Sequence, residues 1–238
     1  MRKIIMLLAL TSVFLSARSQ SVNDIMQKYI TAVGGVSNAD KIKTLKMTAS
    51  IAVQGMEFPL TQEIISDRAV KTNVEVMGTA VVMSYKDGKG WKINQFAGAP
   101  APTLMDSVEI AGQRAQTSVI SPLFDSKKNG DKLELVGEET VDGAKAWKIK
   151  STDKYGQVVN YYINEANNDL IRSTMTKNIN GTNMEEETTY EDYRNVDGVR
   201  LPFTLTNKVG GAVTQLIKVD KYEFNVPVDE KIFDMPSN

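Results

Sequence analysis

The 238-residue sequence contains no cysteine and no histidine. Without cysteine there is no disulfide framework, and no lipid can be attached to an N-terminal thiol. Without histidine the chain lacks the usual general base near neutral pH, the usual activator of a serine nucleophile, and the commonest transition-metal ligand. Enzyme chemistry would have to rest on carboxylates, Lys, Tyr or Ser. A paired-carboxylate glycosidase could work that way, but no local motif nominates a pair. The expectation is a protein that is not an enzyme and uses no cofactor or metal. The chain also lacks a basic excess, with 28 Lys and Arg against 29 Asp and Glu, which speaks against a nucleic-acid partner. No apolar run reaches the ~20 residues that a membrane-spanning helix needs.

The first nineteen residues do carry a shorter apolar run. Arg2 and Lys3 precede Ile4 to Leu15, which only Thr11 and Ser12 interrupt, and Ser16-Ala17-Arg18-Ser19 then offers small residues at the −3 and −1 positions. This is the tripartite pattern of a secretory signal. Cleavage after Ser19 would leave Gln20 first in a mature domain covering 20–238. Loss of Arg2, Lys3 and Arg18 leaves 25 basic residues against 29 acidic ones, a net charge of −4. The expected location is the periplasm, as a soluble protein, and the length suits one domain.

The mature part opens with a helix signal. Ser21-Val22-Asn23-Asp24 reads as a capping box, and Val22, Ile25, Met26, Tyr29, Ile30 and Val33 follow on one helical face. Gly34-Gly35 ends it, and a short turn runs from Ser37 toward Lys43. From Thr44 the period changes to two: Leu45, Met47, Ala49, Ile51 and Val53 alternate with smaller or polar residues, as in a half-buried strand. Met56, Phe58 and Leu60 follow the Gln54-Gly55 turn. Val70 to Val76, Val81 to Tyr85, and Trp91 with Ile93 beyond the Asp87-Gly88 turn continue the meander. Asn94 to Thr103 reads as a loop because of Gly98, Pro100 and Pro102. Met105 to Gln116 reads as a helix, and Pro122 to Asp131 as a second loop. Seven more strands are expected at 132–139, 144–152, 157–163, 170–179, 182–193, 201–209 and 212–224. Asp142-Gly143, Asn180-Gly181, Asp197-Gly198 and Gly210-Gly211 supply tight turns between them. The total is 10–12 antiparallel strands in a mainly β, β-rich α+β chain, and such a meander has one apolar face to cover. A strongly curved sheet wrapped around the N-terminal helix, with shorter helices as a lid, meets that need.

Several segments are similar to a known family. Asp24 to Leu60, Tyr85-Lys86-Asp87-Gly88-Lys89-Gly90-Trp91-Lys92-Ile93-Asn94, Val196-Asp197-Gly198-Val199-Arg200-Leu201-Pro202, and Asp229 to Pro236 (Asp-x-x-x-Phe-x-Met-Pro) together resemble periplasmic outer-membrane lipoprotein-sorting proteins of the LolA/LolB-like fold. The resemblance implies an unclosed β-barrel over helices, whose apolar cavity holds acyl chains in transit. It also implies acyl chains or lipoproteins as partners, with envelope membrane proteins to exchange them. The receptor branch of that fold is lipidated on cysteine, so this chain resembles the soluble carrier branch. Asn94-Gln95-Phe96 departs from the Asn-Pro-Phe that relatives tend to carry.

On the residues alone, an alternating apolar stripe is ordinary core more often than a binding surface. The resemblance reverses that reading for the concave face as a whole. The candidate ligand-binding residues are therefore the inward positions of the first five strands, Leu45, Met47, Ile51, Phe58, Leu60, Val74, Val76, Met83, Tyr85 and Trp91, with Phe96 at the mouth. Nine of the 11 methionines lie beyond the leader, and methionine adapts to apolar guests of varied shape. Trp91 could equally be a core anchor, and Trp147 reads as core. Glu185-Glu186-Glu187 puts two carboxylates on one strand face, too few oxygens for calcium, and reads as a solvated outer face. Ser151-Thr152-Asp153-Lys154 matches a hydrolase nucleophile motif but sits at a strand end, where chance explains it. Asn180-Gly181-Thr182 is a formal glycosylation sequon that a hairpin turn accounts for. The alternative to a carrier is an exported interaction or structural protein with a dry core and no bound lipid.

Overall fold

The computed structural model describes residues 20–179 and 181–236. The expected leader with its cleavage point, and Asn180 of the sequon, lie outside the described residues.

Helix α1, Val22–Ala32, starts as the sequence indicates. The Ser21 hydroxyl accepts from the Asp24 N–H at 3.2 Å, and the Asp24 carboxylate accepts from the Ser21 N–H at 3.2 Å. Short helix α2, Val36–Ala39, follows. The first meander comprises β1 (Thr44–Val53), β2 (Met56–Ile65), β3 (Ala69–Val76), β4 (Thr79–Lys86), β5 (Lys89–Asn94) and β6 (Ala99–Leu104). Helices α3 (Ser107–Ala115) and α4 (Ser126–Asn129) then lead to the second meander. It comprises β7 (Lys132–Val141), β8 (Ala144–Thr152), β9 (Val158–Asn164), β10 (Leu170–Ile179), β11 (Thr182–Val196), β12 (Val199–Val209) and β13 (Ala212–Phe224). A 3-10 turn at Glu230–Phe233 closes the described chain.

The 13 strands form one antiparallel sheet in the order β6-β5-β4-β3-β2-β1-β13-β12-β11-β10-β9-β8-β7. Each meander pairs strand with next strand, and the first and last strands join the two, with Ile51 opposite Ile217. Strands β6 and β7 are the two free edges, so the barrel stays unclosed. The turns have the chemistry that tight hairpins require: Gln54-Gly55, Asp87-Gly88, Asp142-Gly143 and Asp197-Gly198 all take positive φ at both positions, as type I′ turns do.

Two expectations need correction. The segment 94–103, read as a loop, contains the 3-10 turn Gln95–Ala97 and most of β6. Pro100 and Pro102 are tolerated because β6 has a neighbour on one side alone, and an edge strand needs no donor on its open side. This strand takes the sheet past the expected 10–12. The second loop, 122–131, holds the single turn of α4.

The concave face carries two apolar clusters. One gathers Leu45, Met47, Ile51, Leu60, Val70, Tyr85, Val199 and Leu201 around β1–β4 and β12. The other places Ile25, Met26 and Tyr29 of α1 on Ile149, Tyr161, Ile163 and Leu170 of β8–β10, with Leu123 beside them. The expected face of α1 is the packed one, Ile30 being partly buried against the same cluster. The helix end is fixed by close approach. Gly34 has φ +113°, and a Cβ there would lie 2.3 Å from the Gly198 carbonyl oxygen. That contact lets the Val33 carbonyl accept from the Arg200 N–H at 3.1 Å.

Candidate functional site

Between β1–β4 on one side and β11–β13 on the other, the concave face encloses a cavity of about 1020 Å³. This is at the top of the ~300–1,000 Å³ range of ligand pockets. The segment 115–122 that follows α3 forms its floor, and Tyr29 and Val33 of α1 border it. The floor is tied to the wall by Gln62, whose side-chain amide donates to Thr72 Oγ1 and to Gln116 Oε1, each at 3.1 Å. The packed end is tight: a Cβ on Gly90 would meet Met105 Sδ at 2.8 Å.

Strand register explains the lining. Ile51 stands opposite Phe58 on β2 and Ile217 on β13; Ile217 faces Leu205, and Leu205 faces Tyr190. These residues make one apolar row across five strands. Leu60, Val74 and Val81 form a second row across β2, β3 and β4. The tyrosines on the wall add carbon rather than polarity, because their hydroxyls are engaged. Tyr29 Oη lies 2.7 Å from Ser121 Oγ, Tyr190 Oη lies 3.0 Å from Ser173 Oγ, and Tyr193 and Tyr222 donate to the carbonyls of Leu170 and Pro202. Burial raises all four hydroxyls above the ordinary phenol range, so they stay neutral.

Two charged groups border the space. Arg200 donates to both oxygens of the buried Asp169, at 2.9 and 2.8 Å. Glu186 is paired with Lys177 of β10. Among the described residues, no group of three His, Cys, Asp or Glu could hold a metal ion. The arrangement can receive an apolar guest and hold it without compensating charge.

Nine of the eleven candidate residues border this cavity: Leu45, Met47, Ile51, Phe58, Leu60, Val74, Val76, Met83 and Phe96. Two do not. Tyr85 is on the concave face but is buried in the packed end with Val70 and Val119. Trp91 is on the other face. The two-residue turn makes Lys86 face Lys89, so Gly90 opposes Tyr85 and Trp91 opposes Ser84. Trp91 Nε1 and Ser84 Oγ both donate to the Phe233 carbonyl, at 2.7 and 2.9 Å, beneath the C-terminal 3-10 turn. Trp91 is thus a core anchor on the convex side. The acidic triplet divides likewise. Glu187 faces outward to Lys208 and Arg172, whereas Glu186 borders the cavity and does not belong to a solvated outer face.

Sequence reading also missed the opposite wall: Thr188, Tyr190, Leu205, Asn207, Gln215, Ile217 and Tyr222. Alternation was there to find it, with Leu201, Phe203 and Leu205 in one strand. Nothing local shows that β13 returns beside β1.

No family model and no curated protein matches the chain by sequence. Solved structures do match by shape. A LolA superfamily protein from Nitrosomonas europaea aligns with TM-score 0.56 and 11% identity over 91% of this chain and 98% of its own. A putative outer membrane lipoprotein-sorting protein domain from Vibrio parahaemolyticus gives 0.58 and 11% over 89% and 95%. A DUF1329 family protein from Desulfovibrio piger gives 0.58 and 12% over 91% and 98%. The chain has a LolA-like fold.

Proposed function

We propose that this protein is an exported periplasmic carrier that holds acyl chains, those of lipoproteins or of another apolar ligand, in the cavity between β1–β4 and β11–β13. The observation that carries the reading is a hollow of about 1020 Å³ walled by apolar side chains where the rest of the concave face is filled. The fold shared with a lipoprotein-sorting domain supports it, as does the leader pattern of residues 1–19. Among the described residues no helix is long and apolar enough to cross a membrane. Each methylene moved from water into such a space contributes ~0.8 kcal/mol, so a partly inserted chain is held without polar recognition. Delivery then requires an acceptor that competes for the chain.

The test is a charge placed on the wall. Met83→Glu and Met47→Glu should abolish binding of an uncharged alkylpyrene probe. Thr48→Glu, on the convex face of β1 opposite Lys221, should leave it intact. Equal binding by all three folded variants, or no binding by the wild-type protein, identifies the face as ordinary core and favours an interaction protein without lipid.

A further inference from the structure

The walls of the cavity differ in chemistry at its mouth. The hairpin tips of the first meander carry exposed apolar residues there: Met56, Met77 and Phe96 are 46%, 75% and 60% exposed. Facing them, one step beyond the Ile217–Leu205–Tyr190 row, the second meander presents a polar row. Gln215 of β13 stands opposite Asn207 of β12, which stands opposite Thr188 of β11. The Thr188 hydroxyl donates to Asn207 Oδ1 at 2.8 Å, and Asn207 Nδ2 donates to Gln215 Oε1 at 2.9 Å. The chain of donors runs one way and ends on the Gln215 amide nitrogen, which finds no partner among the described residues. Thr188, Asn207 and Gln215 all border the cavity. Aligned bonds of this kind polarise one another, so the terminal N–H groups are strengthened donors.

A polar row beside an apolar hollow offers donors that a purely hydrocarbon guest would leave unused. The row carries no charge of its own. The nearby Glu186 is held by Lys177, and Arg200 is held by Asp169. A bare carboxylate would therefore find no free cation here, whereas a neutral acceptor such as an ester carbonyl would find two N–H groups. We infer that the preferred ligand is an acylglycerol-type amphiphile, its chains lying along β1–β4 and its ester linkage seated on Thr188, Asn207 and Gln215. The inference rests on the carrier reading and adds the ligand's class and orientation to it.

The experiment compares probes that share a chain and differ in linkage: alkylpyrene, pyrene-labelled diacylglycerol, pyrene-labelled phosphatidylethanolamine, and a pyrene-labelled diacylglyceryl-cysteine peptide. The variants are Gln215→Met, which leaves the Thr188–Asn207 bond in place, and the double variant Asn207→Leu with Gln215→Leu. Loss of a hydrogen bond of ~1–1.5 kcal/mol corresponds to roughly a tenfold change in affinity. Both variants should bind all three ester-linked probes about tenfold more weakly and alkylpyrene unchanged or more tightly. Wild-type preference for the phospholipid or for the lipopeptide then tells which source supplies the ester. Unchanged affinity for the ester-linked probes, with alkylpyrene still bound, overturns the inference and leaves the carrier reading standing. Failure of alkylpyrene to bind wild-type protein overturns that reading, and the inference with it.

Discussion

One continuous sheet covers two very different interiors. Over β8–β10 the concave face is filled: Ile25, Met26 and Tyr29 of α1 are buried on Ile149, Tyr161 and Ile163, and Leu123 is fully enclosed. Over β1–β4 and β11–β13 the same alternation of inward side chains meets open space. The strand chemistry differs little, since Ile, Leu, Val and Tyr line both. The difference is where the helices sit: α1 fills the space over β8–β10, whereas α3 packs against β3–β5 at one end and leaves the rest of that half open. A capped amphipathic helix seated on one half supplies packing that the hollow half gives up, at ~1.5–3 kcal/mol for each fully buried large side chain. The filled half stabilises the fold, and the hollow half is left available for a guest.

The comparison can be broken most forcefully with alkali. Tyr29 and Tyr161 are 1% and 6% exposed in the filled half, and burial, the leading cause, holds both hydroxyls protonated well above the ordinary phenol range. The unfolded chain releases these protons near pH ~10. Above that pH the folded state binds more protons than the unfolded one, so stability falls as pH rises, by ~1.4 kcal/mol per pH unit per tyrosine. Tyr29 and Tyr161 over ~two pH units remove ~5 kcal/mol, and Tyr190, Tyr193 and Tyr222, raised by burial as well, add to the fall. Urea midpoints should hold to about pH 10 and then drop steeply. Tyrosinate absorbance from exposed Tyr155, whose hydroxyl is lowered by the Arg114 guanidinium beside its ring, should appear before the rest. If every tyrosine titrates while the circular dichroism stays native, the filled half is wet and the contrast is lost.

Truncation gives the next largest effect. Ile25→Ala removes a side chain packed on all sides and should cost ~3–4 kcal/mol, within the usual range for a well-filled core. Ile51→Ala, on the border of the hollow, deletes contacts on one side and should cost ~1–2 kcal/mol, because the space it opens joins one that already exists. Urea unfolding of the two variants measures the gap. Equal losses would mean that the hollow half is as tightly packed as the other.

Much of the fold was legible in the sequence, and the remainder was hidden for physical reasons. The Ser21 capping box, the turn dipeptides and the period-two runs report local geometry, and β8, β10 and β13 begin and end where the pattern places them. Strand β6 was obscured because prolines signal a loop unless the strand is known to be an edge, and edges are a property of the whole sheet. The side to which Trp91 points was readable: a two-residue hairpin fixes parity, and opposing Tyr85 to Gly90 sends the indole outward. The strands of the second wall were readable from their alternation, but their place opposite the first wall was not. Ile51 meets Ile217 from opposite ends of the chain, and no local spacing encodes that pairing. The polar row across β11–β13 depends on three strands aligning their partners, so it appears when the sheet is assembled and not before.

The smallest expected effect on stability is also the sharpest test of why one half is hollow. Val74 lies on the apolar row between Leu60 and Val81, partly buried and facing the cavity. In a close-packed core, replacing it with phenylalanine would force neighbours apart and cost ~1–3 kcal/mol. Here the ring has empty volume to enter. Val74→Phe should therefore be neutral or stabilising by up to ~1 kcal/mol, as cavity-filling substitutions often are, raising the melting temperature by at most a few degrees, roughly 2–4 °C. The same ring takes the place of acyl carbon, so affinity for alkylpyrene should fall even though the protein is no less stable. Thermal melts and probe titrations on one preparation give both readings. Stability and binding moving in opposite directions would show that the space is kept open for a ligand against the preference of the fold. A destabilised variant would show that β3 has no room to spare, and the hollow would then have to close in solution around its own side chains.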